Sequence, residues 1–116
     1  MASVIRGSDN FDSVYAKPKA QCTAWVNFNG TTTPPTIRDS YNVSSIVRTD
    51  TGTYDVYFTT PMDNTSYTCI GEAYIDAFVN REDVQTDSVI LVSMHTLDGS
   101  LQNADQCSVQ IFGGKN

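Results

Sequence analysis

The chain is poor in the groups that do acid–base chemistry near neutral pH: its 116 residues include a single histidine, His95. A Ser/His/Asp or Cys/His triad would have to be built on it, because no other side chain here has an ordinary pKa near 7. No G-x-S-x-G turn accompanies it, and its neighbour Met94 reads as an ordinary strand residue. Leucine is also scarce, confined to Leu91, Leu97 and Leu101, whereas valine, isoleucine and threonine together total 32. Residues branched at Cβ sit more easily on a pleated strand than in a helix, so long helices are not expected.

Positive charge is thin and scattered. Seven basic residues, Arg6, Lys17, Lys19, Arg38, Arg48, Arg81 and Lys115, face 13 acidic ones, for a formal net charge of −6. Nucleic-acid binding draws on Lys and Arg displacing counterions from phosphates, so a nucleic-acid partner is not expected; the surplus negative charge serves solubility. No stretch approaches the roughly 18 apolar residues of a membrane span, and Met1–Arg6 opens no apolar signal core, so neither membrane insertion nor export by a signal peptide is expected. Sequons at Asn29, Asn42 and Asn64 read as turn chemistry without such a signal. Cys22, Cys69 and Cys107 are odd in number and lack a C-x-x-C, which argues against a zinc site and a closed disulfide framework. They read as small buried hydrophobes, with a Cys22–Cys69 or Cys69–Cys107 bridge as the alternative.

What is present is an alternating pattern. Residues 1–20 carry no sustained period and end in Lys17-Pro18-Lys19, which predicts an extended arm. Its apolar residues Val4, Ile5, Phe11, Val14 and Tyr15 would be costly to leave in water and mark it as a docking arm. From Cys22 the period of two is clear: Cys22, Ala24, Val26 and Phe28 on one face, Thr23, Trp25 and Asn27 on the other. Asn29-Gly30 ends that strand and Thr31–Pro35 is a loop. Short strands are expected over Thr36–Asn42 and Val43–Arg48, a hairpin turn at Asp50-Thr51-Gly52, and a half-buried strand over Thr53–Thr59. Ser66–Ile75 reads as a strand with a bulge or bend at Gly71, Asp76–Asp87 as a turn of helix or a loop, and Ser88–Thr96 and Asp105–Phe112 as the last two strands.

About seven short strands with regular turn signals predict a single all-β domain, an antiparallel β-sandwich of jelly-roll type over residues 21–116, preceded by the arm of residues 1–20. Within it the pairs Glu72/Asp76 and Glu82/Asp83 suggest a glycosidase acid and nucleophile, but so short a chain has little surface left for a sugar-gripping groove, and they read as solvated loop charges. Asp50, Asp55, Asp63 and Asp98 lie in or near turns but form no D-x-[DN]-x-[DN]-G calcium loop. No catalytic residue, metal or cofactor is therefore expected, and the chain reads as a non-enzyme. The aromatic residues carry more information. Trp25, Phe28, Tyr41, Tyr54, Tyr57, Phe58, Tyr67 and Tyr74 fall on strands, and strands that are apolar on both faces need two covers. One is the sandwich interior; the other is expected to be a subunit interface built on Trp25 or Tyr57.

Three segments carry a resemblance: Ala24-Trp25-Val26-Asn27-Phe28-Asn29-Gly30; Ile37-Arg38-Asp39-Ser40-Tyr41-Asn42-Val43-Ser44-Ser45-Ile46; and Gly52-Thr53-Tyr54-Asp55-Val56-Tyr57-Phe58-Thr59-Thr60-Pro61-Met62. With Tyr67-Thr68-Cys69-Ile70-Gly71 and Cys107–Gly113 they span about half of the chain. The pattern resembles a module of tailed-bacteriophage virion proteins, in particular the distal tip domain of tail fibres. That resemblance implies a homotrimeric structural protein on the outside of the virion, touching other virion proteins and a bacterial surface glycan or protein through exposed loops. A module this small, with a short arm and no shaft, suits as the alternative a capsid decoration or cement protein anchored by residues 1–20.

Overall fold

The computed structural model describes residues 21–73, 77–96 and 99–116, with side chains of 77–84 excepted; the expected arm lies outside the described residues. Eight strands follow in order: β1 (Cys22–Asn29), β2 (Thr36–Tyr41), β3 (Val43–Asp50), β4 (Thr53–Phe58), β5 (Thr68–Ala73), β6 (Ala77–Gln85), β7 (Val89–Thr96) and β8 (Cys107–Phe112). No helix occurs among the described residues. All ladders are antiparallel, and they form one sheet in the order β2-β1-β8-β5-β6-β7-β4-β3.

That order corrects the jelly-roll expectation. A jelly roll links two four-stranded sheets by two Greek keys, whereas here the ladders run unbroken from β2 to β3 and the sheet folds over on itself, sandwich-like. The alternation explains why it must fold over. In β4 the side chains of Tyr54, Val56 and Phe58 are buried while Asp55 and Tyr57 face outward, and in β8 Cys107, Val109 and Ile111 are buried between Ser108, Gln110 and Phe112. Each half of the sheet thus has one apolar face, and the two faces close on each other. Phe28 of β1 meets Tyr54 of β4 edge to face at 5.2 Å between ring centroids, although the two strands are not ladder neighbours. Phe58 and Tyr67 pack the same way at 5.6 Å. Such ring pairs add about 1 kcal/mol each beyond the area they bury.

Three further expectations change. β6 stands where a loop or helical turn was expected: its pairing with β7, from Ala77↔Thr96 to Gln85↔Ile90, overrides the charge in its sequence. Gly71 makes no bulge, since β5 pairs with β8 in unbroken register through Gly71↔Val109. Register shifts fall instead in the β1–β2, β3–β4 and β6–β7 ladders and, against β8, as a bulge near the start of β1, between Cys22 and Ala24. This bulge turns Thr23 inward, where its hydroxyl donates to Gly113 O at 2.8 Å, and leaves Cys22 half-buried.

The two edge strands meet at a single residue, Asn42, whose φ is +56°. Asparagine is one of the few side chains that tolerates this conformation, and here it gains from it. Its carboxamide donates to Thr23 O (3.2 Å) and Thr60 O (3.1 Å) and accepts from Thr60 N (2.7 Å), pinning β1 and the end of β4 to the corner. The sequon at Asn42 is thereby structural.

Candidate functional site

The folded sheet has two outer faces, and both carry apolar side chains that the core does not use. On the outer face of β2, β1, β8 and β5, ladder register places Tyr41, Trp25, Gln110 and Ile70 in one row across four strands. Tyr41 and Ile70 are each 57% exposed and Trp25 is half-buried. The next row on the same face is polar: Asp39, Asn27, Ser108 and Glu72. It borders a concavity of about 420 Å³ lined by Asn27, Glu72 and Ser108 and, from the chain leading into β8, Asp105 and Gln106. Arg38 spans the rim, donating to Asn27 Oδ1 (3.4 Å) and to Asp105 O. The side chains of Glu72, Gln106, Ser108 and Gln110 have no hydrogen-bond partner among the described residues.

The opposite outer face, made by β3, β4 and β7, sets aliphatic side chains around Asp55 and Tyr57. Val47, Asp55 and Leu91 form one row and Ser45, Tyr57 and Val89 the next. Val47 is 46% exposed and Tyr57 36%. Trp25 and Tyr57, the two residues expected at a subunit contact, therefore sit back to back on opposite sides of the molecule. Sequence alone shows that each lies on the outward phase of its strand; only the fold shows that the faces differ. The arm residues Val4, Ile5, Phe11, Val14 and Tyr15 lie outside the described residues.

At one end of the sandwich the connecting segments are tied to one another. Gly30 N donates to Ala104 O at 2.7 Å, and the buried Tyr54 hydroxyl donates to Gly30 O at 2.9 Å and lies 3.1 Å from Asn103 Oδ1. A Cβ on Gly30 would collide with that hydroxyl, which is why the strand leaves β1 through glycine. The Arg48 guanidinium donates to Gly30 O, Thr32 O and Thr33 Oγ1 at 2.6–2.9 Å, so the planar fork of one β3 side chain organises the proline-bearing loop of residues 30–35. Burial pushes the Tyr54 hydroxyl from 10 up to about 12 and the Cys107 thiol from 9 up to about 11.

Among the described residues, those considered for catalysis do not converge. His95 shares a 2.8 Å contact with Ser93 Oγ and a 3.1 Å contact with Gly99 O, and because a carbonyl oxygen only accepts, Nδ1 is the donor in the second. This has the outline of a nucleophile–base pair, but Ser93 is wholly buried, and the pair ties the end of β7 to the segment that follows it. Glu72 lies on the outer face described above, while Asp76 and the side chains of Glu82 and Asp83 lie outside the described residues. Asp50 accepts from Thr51 N and Asp63 from Asn116 N; Asp98 lies outside the described residues. No group of three or more His, Cys, Asp or Glu that could hold a metal gathers among the described residues.

The three cysteines are free. Cys22 and Cys69 stand on strands separated by β8, two strand spacings or about 9.5 Å, beyond the roughly 7 Å Cα limit for a bridge. Cys69 pairs with Ile111 and Cys107 with Ala73, so these two lie four residues apart along the ladder and are no closer to bridging.

Comparison with models of known protein families, with curated protein sequences and with solved structures finds no match to this chain.

Proposed function

We propose that the chain is a structural virion protein of a tailed bacteriophage, a trimeric tail-fibre or spike component that attaches the particle to a host surface. The observation that carries the assembly part is the surplus of apolar surface. Phe28, Tyr54, Phe58 and Tyr67 complete the interior, yet Trp25, Tyr41, Tyr57, Val47 and Ile70 remain on two outer faces. Exposed side chains of this kind grouped on one face mark a contact with another molecule. The phage assignment rests on the tail-fibre resemblance. Its quoted segments coincide with β1 and its turn, with β2, the Asn42 corner and β3, and with β4, so the resemblance is one of folding units rather than reactive groups.

The β3-β4-β7 face supplies the subunit contact. Val47, Val89, Leu91 and Tyr57 offer the apolar part of a protein interface around Asp55, and three copies turning this face to a common axis would bury those four side chains. The chain is expected to elute as a trimer in size-exclusion chromatography with light scattering. Val47→Asp is expected to give a monomer with unchanged circular dichroism, because it would set a second carboxylate directly beside Asp55 within the contact, and like charges buried side by side repel. A wild-type monomer at micromolar concentration would remove the assembly part of the reading.

Residues 1–20 dock the module onto neighbouring virion proteins. Deleting residues 1–19 is expected to leave a folded domain that no longer enters particles, read by mass spectrometry of purified virions. Copy number then separates the two virion positions: tens per particle for a fibre tip, hundreds for a capsid decoration protein. Absence of the full chain from particles would refute both.

A further inference from the structure

We infer that the outer face of β2, β1, β8 and β5 is a binding platform for a neutral glycan, with Trp25 and Tyr41 stacking on sugar rings and Asn27, Gln110 and Glu72 taking their hydroxyls. This rests on the reading that the chain attaches to a host surface, and it places that contact on a rigid sheet face rather than on loops.

The argument starts from the difference between the two outer faces. A pyranose ring presents C–H groups on its flat side and a rim of hydroxyls that both donate and accept. An aromatic ring matches the first and amides or carboxylates match the second. The β3-β4-β7 face offers the branched chains Val47, Leu91 and Val89 and a single ring, Tyr57, beside Asp55 and Ser45, with no second ring in these rows to stack on a neighbouring sugar. The opposite face offers both halves of the sugar match. Its first row, Tyr41–Trp25–Gln110–Ile70, spans three strand spacings, about 14 Å, and alternates ring, ring, amide and aliphatic group. The polar row beside it leads into the 420 Å³ concavity, where Asn27 and Glu72 meet Gln106 from the neighbouring segment.

These polar groups are exposed or half-buried and open to a ligand's hydroxyls. Arg38 occupies Asn27 Oδ1, and no acceptor among the described residues takes its Nδ2 protons; Gln110, Glu72 and Gln106 are likewise unpaired there. A second copy seated on this face would bury those amides and carboxylates against a surface that must supply matching groups, whereas sugar hydroxyls supply them throughout. Both rows lie on paired strands, so little conformational freedom is lost on binding.

Charge selects among glycans. Asp39, Glu72 and Asp105 outnumber Arg38, and the chain as a whole carries −6. Polyuronates, sulfated chains and phosphate-rich glycans are repelled from such a face, while an uncharged chain is not.

The test uses the full chain and a built-in reporter, since Trp25 is the only tryptophan. In native gels cast with dextran, mannan, arabinogalactan or mixed-linkage β-glucan, at least one neutral polysaccharide is expected to retard the protein, while alginate and heparin do not. The retarding glycan should shift Trp25 emission to the blue and shield it from acrylamide quenching. Tyr41→Ser and Trp25→Ala should each weaken binding about tenfold or more, and Gln110→Ala, a surface change that leaves the core alone, should weaken it severalfold. The inference is overturned if no neutral glycan retards the protein, if alginate or heparin binds better, if binding survives Tyr41→Ser and Trp25→Ala together, or if Tyr41→Ser converts an oligomer to a monomer. Its fate is separable from that of the virion reading: a trimer found in particles that binds no glycan defeats only the platform, and a glycan binder absent from particles defeats only the virion assignment.

Discussion

Urea unfolding followed across the alkaline range is expected to show stability nearly constant up to about pH 9, then falling steeply between pH 9 and 12. Two buried groups cause it. Tyr54 is wholly enclosed, so burial holds its hydroxyl protonated up to about 12 instead of 10; the nearby Cys107 adds to the rise, and the Arg48 guanidinium opposes it. Burial likewise lifts the Cys107 thiol from 9 to about 11, against the hydrogen bonds offered by the Gly30 and Ala104 backbone. Above pH 9 the unfolded chain releases protons that the fold retains, so stability must fall as pH rises, the contribution being intact below 9 for the thiol and below 10 for the phenol. Each group forfeits roughly 3 kcal/mol once the pH passes its folded value, a large part of the roughly 5–15 kcal/mol that holds a domain of this size together. Cys107→Ala is expected to move the onset from near pH 9 to near pH 10, and Tyr54→Phe to remove the upper limb. At neutral pH Tyr54→Phe should cost only about 1 kcal/mol, because Gly30 O keeps Arg48 and Asn103 Oδ1 keeps Gly52 N. A profile flat to pH 12 would mean that neither proton is held by burial.

Much of this architecture is legible in the sequence because the strands are half-buried and alternate. Ala24, Val26 and Phe28, then Tyr54, Val56 and Phe58, announce their inward phase, and all six are buried. Prediction fails where pairing overrules pattern. In β6 the run Arg81-Glu82-Asp83 breaks the alternation that would mark a strand; the ladder to β7 shifts register across it, and pairing on either side, with β7 and at its start with β5, makes the strand. At Thr23 a one-residue bulge reverses which side chain points inward, and a bulge leaves no composition signal when a threonine can satisfy its hydroxyl on two carbonyls.

The candidate site divides along the same line. That Trp25 and Tyr57 face outward follows from period two, but Tyr41 joins Trp25 only through the register of the β1–β2 hairpin, which shifts between Asn27 and Phe28, and Ile70 joins Gln110 only through pairing between strands far apart in sequence. The side-chain clamps are hidden for the same reason. Arg48 reaches back to Gly30 and Thr32, Asn42 to Thr23 and Thr60, and Gln85 to Thr65 and Tyr67, all to backbone groups that any sequence would offer. Asn42 in particular reads as a sequon or a turn residue until its carboxamide is seen to tie β1 to the segment that follows β4. Such clamps hold the ends of the sandwich still, and with them Asp105 and Gln106, which flank the glycan concavity on the segment that Gly30 anchors.

Gly52→Ala is expected to be among the most damaging single-methyl changes in the chain, lowering stability by about 3 kcal/mol. Two costs combine. With φ at +66°, an L side chain is disfavoured by about 1–2 kcal/mol, and the added Cβ would stand 2.7 Å from Gln102 N and 2.9 Å from Gln102 O, backbone atoms that cannot rotate aside. Overpacking of that kind costs a further 1–3 kcal/mol, roughly. Gly52 is also fastened on both sides, its N donating to Asn103 Oδ1 and its O accepting from Met94 N, each at 2.7 Å, so the turn cannot shift without releasing the segment that leads into β8. Gly99 is the internal control: its φ is +90°, but a Cβ there meets nothing within 4 Å, so Gly99→Ala should cost only the backbone strain. The urea midpoint of Gly52→Ala should therefore fall by an amount of the order of 2 M, and that of Gly99→Ala by about half as much or less. Equal shifts would show that Gln102 yields freely and that the turn is not the anchor the hydrogen bonds describe. If the anchor holds, Gly52→Ala should also weaken glycan retardation in folded protein, through the displaced Asp105 and Gln106, while Gly99→Ala leaves it unchanged.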